Sequence, residues 1–105
     1  MITKTTQETL DFLESLIGNK PSLGDFILAI RQGEDLTQVE FARMLGISRQ
    51  NLCDIEHNRR FVSPKMAADF ANKLGYSPKQ FVRLCLQDML NRDGLDFNVD
   101  IESAA

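Results

Sequence analysis

Gly46 lies between two short amphipathic segments in the stretch Leu36 to Arg60, LTQVEFARMLGISRQNLCDIEHNRR, and this division restricts how the rest of the chain can fold. Phe41, Ala42 and Leu45 share one helical face before the glycine, and Leu52 and Ile55 share one after it. The two faces are set to pack on each other. Thr37 with Glu40 three residues on forms a capping-box pattern, so the first helix is expected to begin near Gln38. Gly46 stands where the backbone needs a positive φ to leave that helix, a conformation that costs a residue with a Cβ about 1 kcal/mol. Ser48 is the expected cap of the second helix, with Ile47 folding back as a staple. Ala42 falls where the two helices cross most closely, so a small side chain is required there.

These residues form a helix-turn-helix, and the pattern resembles the Cro and phage-repressor type, often called the XRE family, over roughly residues 23–84. The resemblance implies an all-α, five-helix DNA-binding domain whose second motif helix lies in the major groove, with the protein acting as a homodimer on a near-palindrome. HigA-like antitoxins are the other kind of protein it brings into view. One departure is Asn58, where the family usually has a glycine after the recognition helix; Asn tolerates the left-handed conformation better than most residues.

With 105 residues, 43% of them hydrophobic, the chain has enough for one modest core. Its net charge of −3 argues against DNA binding only until it is divided along the chain. Residues 1–35 carry three Lys/Arg against six Asp/Glu, residues 36–65 carry five against three, and residues 66–105 carry four against six. The basic character is confined to the motif and its exit, so a small phosphate-contacting footprint with acidic flanks is expected, its affinity steeply dependent on salt. Neither a long apolar run nor a secretory leader pattern is present, and the expected location is cytoplasmic, with no membrane partner. Cys53, Cys85 and a single His offer no metal-ligand spacing, so two reduced thiols and no metal or cofactor are expected.

From the start of the chain, Thr6 to Ile17 places Leu10, Leu13, Leu16 and Ile17 at helical spacing, which predicts an extra N-terminal amphipathic helix within residues 1–20. Residues 21–93 then form the DNA-binding domain. Pro21-Ser22 opens a helix with a stripe of Leu23, Phe26, Ile27 and Ile30, ending near Gly33. Ser63-Pro64 opens another with Met66, Ala67, Phe70, Ala71 and Leu74, closed by Gly75, and Ser77-Pro78 opens the last. That last helix has more apolar residues than one face can bury, which suggests a two-fold dimer interface. Phe61 and Val62 are expected to return to the core. Beyond Gly94, Leu95, Phe97, Val99 and Ile101 alternate with polar residues, a period-two pattern that reads as a short strand or else a flexible tail over 94–105.

The resemblance also assigns roles. Arg31 and Glu56 correspond to a partly buried structural salt bridge. Arg49, Gln50 and Asp54 occupy base-reading positions: Arg can pair with guanine O6 and N7, Gln with adenine N6 and N7, and Asp54 can accept from cytosine N4 or orient Arg49 or Gln50. Gln38 at a helix N-terminus, Ser48, Asn51, Arg59 and Arg60 are expected at phosphates, with Arg43 and Lys65 as weaker candidates. Three function classes follow: a sequence-specific regulator, most simply a repressor; an antitoxin binding both DNA and a small basic toxin; or an adaptor that binds protein only, for which Arg49 and Gln50 would be dispensable. One His and no glycine-rich phosphate loop leave no evident catalytic arrangement, so no enzyme is expected.

Overall fold

Each helix among the described residues begins at a hydroxyl side chain that caps it. In the computed structural model, which describes residues 21–104, α1 spans Leu23–Gly33, α2 Gln38–Leu45, α3 Arg49–Glu56, α4 Pro64–Leu74 and α5 Pro78–Arg92. Ser22, Thr37, Ser48, Ser63 and Ser77 each accept a hydrogen bond from a backbone N–H of the first turn, satisfying a donor that has no intrahelical acceptor. Ser22 with Asp25 and Thr37 with Glu40 complete reciprocal capping boxes. The prolines of α4 and α5 sit in the first turn, where the missing N–H has no cost. The described chain is all-helical, as expected. The N-terminal helix expected over Thr6 to Ile17 lies outside the described residues.

All five described helices are followed by a residue in the left-handed conformation, Asp35 and Gly94 after the first and last among them. Gly46 has φ +74° and Gly75 +79°, and Asn58, the residue standing where the family has glycine, has +59°. At Asn58 the Arg59 N–H returns to the Asp54 carbonyl at 2.8 Å, the same closure that Ile47 makes to Ala42 after Gly46. The exit survives without a glycine.

The core gathers where all five helices meet. Phe26, Ile27, Phe41, Leu45, Leu52, Ile55, Phe70, Leu74 and Phe81 are its largest fully buried side chains. Each stabilises the fold by about 1.5–3 kcal/mol through apolar burial. Phe26 meets Tyr76 and Phe81 edge-on and those two rings are tilted on each other, with centroids 5.4–5.8 Å apart, joining α1 to α5 and the turn before it. Helix α4 packs chiefly on α5, α2 on α3 and α4, and α1 on α3 and α5. Ala42 is buried between α2 and its neighbours.

Backbones approach closely at Gly24, a residue whose role the sequence pattern did not expose. A Cβ at that position would collide with the Ile55 carbonyl oxygen and lie 2.7 Å from Asn58 Oδ1. Only glycine lets the start of α1 pass over the end of α3 at this distance. The same junction is clipped by side chains: Ser22 Oγ donates to Asn58 Oδ1 at 2.8 Å, and Asn58 Nδ2 donates to Asp25 Oδ1 at 3.1 Å.

Two expectations need correction. Phe61 does not return to the core; its side chain is exposed, with the Arg92 guanidinium 3.4 Å from the ring centroid. Its neighbour Val62 does pack on the core, and alternate residues of an unhelical segment point to opposite sides. The C-terminal pattern does not yield a strand among the described residues. A single strand needs a partner edge, and here one side chain stands in for it. The buried Gln87 carboxamide donates to the Phe97 carbonyl at 2.7 Å and accepts from the Val99 N–H at 2.9 Å. The tail is thereby tied to α5, with Val99 and Ile101 half-buried and Leu95 and Phe97 exposed.

Candidate nucleic-acid interface

Helix α3 divides its residues by face. Leu52 and Ile55 are buried against α2, whereas Arg49 and Gln50 are exposed and Asn51, Cys53 and Asp54 are half-buried. The Gly46 turn fixes the angle at which this polar first turn leaves the body.

Behind the first turn runs a chain of hydrogen bonds from the interior to the surface. The Glu56 side chain is 0% exposed and its carboxylate accepts from Arg31 Nε at 2.6 Å and Nη2 at 3.1 Å. It also accepts from Gln38 Nε2 at 2.9 Å. The other end of the Gln38 carboxamide, Oε1, accepts from Arg49 Nη1 at 3.1 Å. Arg31 Nη1 further donates to the Leu36 carbonyl at 2.9 Å, tying down the loop before α2. A buried carboxylate is tolerable here because every lone pair direction that matters has a charged or amide donor.

The Gln38 side chain is therefore committed at both ends within the chain. What remains at the start of α2 is the backbone: Glu40 N–H goes to Thr37 Oγ1, leaving the N–H groups of Gln38 and Val39 at the positive end of the helix. Thr37 holds the Glu40 carboxyl below the usual carboxylate range through hydrogen bonds from its backbone N–H and hydroxyl.

A second cluster lies farther along α3. Asp54 Oδ1 accepts from Gln50 Nε2 at 3.1 Å and from Arg59 Nε at 3.0 Å, with Arg59 Nη2 at 2.9 Å. The bond from Arg59, aided by that from Gln50, lowers the Asp54 pKa, and the Arg59 guanidinium is raised in turn by its bonds to Asp54 and Cys53. Arg59 Nη2 reaches Cys53 Sγ at 3.5 Å, and His57 Nδ1 lies 2.8 Å from the Cys53 carbonyl oxygen. Ser48 Oγ accepts from the Asn51 N–H at 3.1 Å. Arg43, Arg60 and Lys65 are exposed, and among the described residues their side chains make no hydrogen bond or ion pair of the kinds above.

The structure thus brings Gln38 to Arg49 and brings Gln50 and Arg59 to Asp54, while Arg60 acts on Asp54 and Arg43 on Glu40 only through their charge. Sequence reasoning missed Asn58 as a clip, Gly24 as a crossing and Gln87 as an anchor. It also missed Asp88, which accepts from the Leu23 N–H at 2.8 Å and so joins α5 to the start of α1. Burial pushes its carboxyl up to about 6, against the opposing effect of the Leu23 bond and Arg92.

A helix-turn-helix domain family matches residues 24–85, more than half of the chain. The antitoxin PezA of Streptococcus pneumoniae serotype 4 is 38% identical over 55 residues, 52% of this chain. The match spans only 35% of that protein's length. No solved structure matches the chain. Among the described residues no helix is long and apolar enough to cross a membrane.

Proposed function

We infer that this chain, which belongs to the helix-turn-helix domain family, is a sequence-specific DNA-binding transcription regulator that represses from a palindromic operator as a homodimer. The observation that carries the reading is the division of α3: its apolar face is locked into the core, and its first turn offers Arg49 and Gln50 to the outside. Arg49 and Gln50 read base edges in the major groove. The N–H groups at the start of α2, with Ser48, Asn51, Arg43, Arg59, Arg60 and Lys65, serve in this reading as phosphate contacts that set register without reading sequence. The dimer forms through α5, where Met89 is exposed and Leu86 and Leu90 are half-buried. No catalytic step is assigned.

A second reading is supported by the likeness to a protein named as an antitoxin. In it the chain binds the same DNA and also covers a small basic toxin. The tail supports this through its composition: Asp93, Asp96, Asp100 and Glu102 with no Lys or Arg, alongside the exposed Leu95 and Phe97.

Selection of bound sequences from random duplexes, followed by titration across salt concentrations, tests the first reading. A palindromic site should emerge, its binding should weaken steeply with salt, and Arg49→Ala or Gln50→Ala should lose the sequence preference. Full function with both residues removed would leave an adaptor that binds protein only. Recovery of a tightly held basic protein with the chain from its native cells would favour the antitoxin.

A further inference from the structure

We propose that Asp54 is a positioning residue that presets Gln50 to read adenine and holds Arg59 as its own counterion. The inference rests on the DNA-binding reading above and deepens it.

A carboxylate can only accept hydrogen bonds, so the end of the Gln50 carboxamide that faces Asp54 has to be the amide nitrogen. The oxygen is therefore turned away from Asp54. One N–H is spent on Asp54; when it is the one trans to the oxygen, the second N–H and Oε1 lie side by side at the free edge of the group. That pair complements adenine, whose N7 accepts and whose N6 donates. Guanine presents acceptors at both N7 and O6, so its O6 would face Gln50 Oε1, acceptor against acceptor. A flipped carboxamide would suit other contacts, but it would aim Oε1 at an anion. Gln50 alone is an ambivalent side chain; with Asp54 four residues on, one turn of the helix, it has one orientation.

The anion needs its own neutralisation. Asp54 lies on the face presented to phosphates and would repel them if bare. Arg59 reaches back from beyond the Asn58 exit and closes on Oδ1 with both Nε and Nη2. Its side chain is 53% exposed against 22% for Asp54, so the guanidinium covers the carboxylate from the solvent side. Arg59 thus does more than supply one positive charge near the backbone: it makes an acidic residue on the reading helix acceptable to DNA.

The test uses the full chain and random duplex selection for the wild type, Gln50→Ala, Asp54→Ala and Asp54→Glu, with affinities measured on the selected duplex and on duplexes changed at the Gln50-dependent base. Gln50→Ala identifies that base, which is expected to be adenine. The wild-type preference of about 5- to 150-fold should fall below about 3-fold in Asp54→Ala and persist in Asp54→Glu, which is still an acceptor-only group. In addition, Arg59→Ala should weaken binding to every duplex more than the double variant Asp54→Ala/Arg59→Ala does, because the double variant leaves no bare anion. Circular dichroism confirms that each variant keeps its helix content. A purely structural Asp54 would lower affinity for all bases equally, and that uniform loss, or an unchanged adenine preference in Asp54→Ala, overturns the proposal. So does a Gln50-dependent base other than adenine. A wild-type chain that selects no sequence at all overturns the DNA-reading function itself.

Discussion

Replacing Arg31 by alanine should be among the most destabilising single substitutions outside the apolar core. The Glu56 side chain is fully enclosed and accepts three hydrogen bonds, two of them from Arg31. Removing the guanidinium leaves a buried carboxylate with one amide donor, from Gln38, and also frees the Leu36 carbonyl. Breaking one side of a buried pair costs about 3–5 kcal/mol. A domain of this size has about 5–15 kcal/mol in total, and each kcal/mol lost lowers Tm by about 4–8 °C, so a fall of about 12–40 °C is expected. Thermal and urea melts followed by circular dichroism measure it, with the exposed Lys79→Ala as a control expected within about 0.5 kcal/mol of wild type. Arg31→Met/Glu56→Met should recover most of what Arg31→Met loses, because an apolar pair of similar volume leaves no buried charge. A melt of Arg31→Ala indistinguishable from that of Lys79→Ala would refute the reasoning, and no recovery in the double variant would move the cost from charge to packing.

Gly24→Ala separates two physical effects of opposite sign: helix propensity alone would stabilise by about 1 kcal/mol, whereas the collision with the Ile55 carbonyl should destabilise by about 1–3 kcal/mol, and denaturant melts give the sign. Asn58→Ala should melt lower than Asn58→Gly, since both lose the clip to Ser22 and Asp25 but only alanine keeps a Cβ at φ +59°. Asp88 has a pKa of about 6 in the folded chain against 3.8 as its ordinary value, so the folded state binds the extra proton and the stability from this group falls as pH rises through that window. Asp88→Asn keeps an acceptor for the Leu23 N–H and removes the fall; its Tm should exceed that of wild type above about pH 7 and converge with it in acid. Equal Tm profiles across that range would show that Asp88 does not titrate as described.

The helices were legible because each is punctuated locally. A hydroxyl followed by a stripe at three and four, with Gly46 or Gly75 behind it, depends on residues within one or two turns, and α2 to α4 form where those signals stand. The exposed first turn of α3 was legible for the same reason, since Leu52 and Ile55 fix which face of that helix is buried. What could not be read was set by neighbours distant in sequence. Gly24 looks like a poor helix residue until the Ile55 carbonyl is placed above it. Phe61 looks like a core residue until the burial of Val62 turns it outward beside Arg92. The tail misled by its alternation, because period two reports an extended backbone and not what satisfies it; that role falls to the single side chain of Gln87.

The relay from Glu56 to the surface has a sense of direction imposed from its inner end. Because the enclosed carboxylate can only accept hydrogen bonds, the intervening carboxamide of Gln38 keeps its nitrogen inward, and what it shows to position 49 is its oxygen. The choice of side chain at position 49 is therefore biased toward donors. Lysine, a donor of nearly the same reach, suits that oxygen, while an acid there would confront an acceptor it could not satisfy, so the interior limits the vocabulary of the surface.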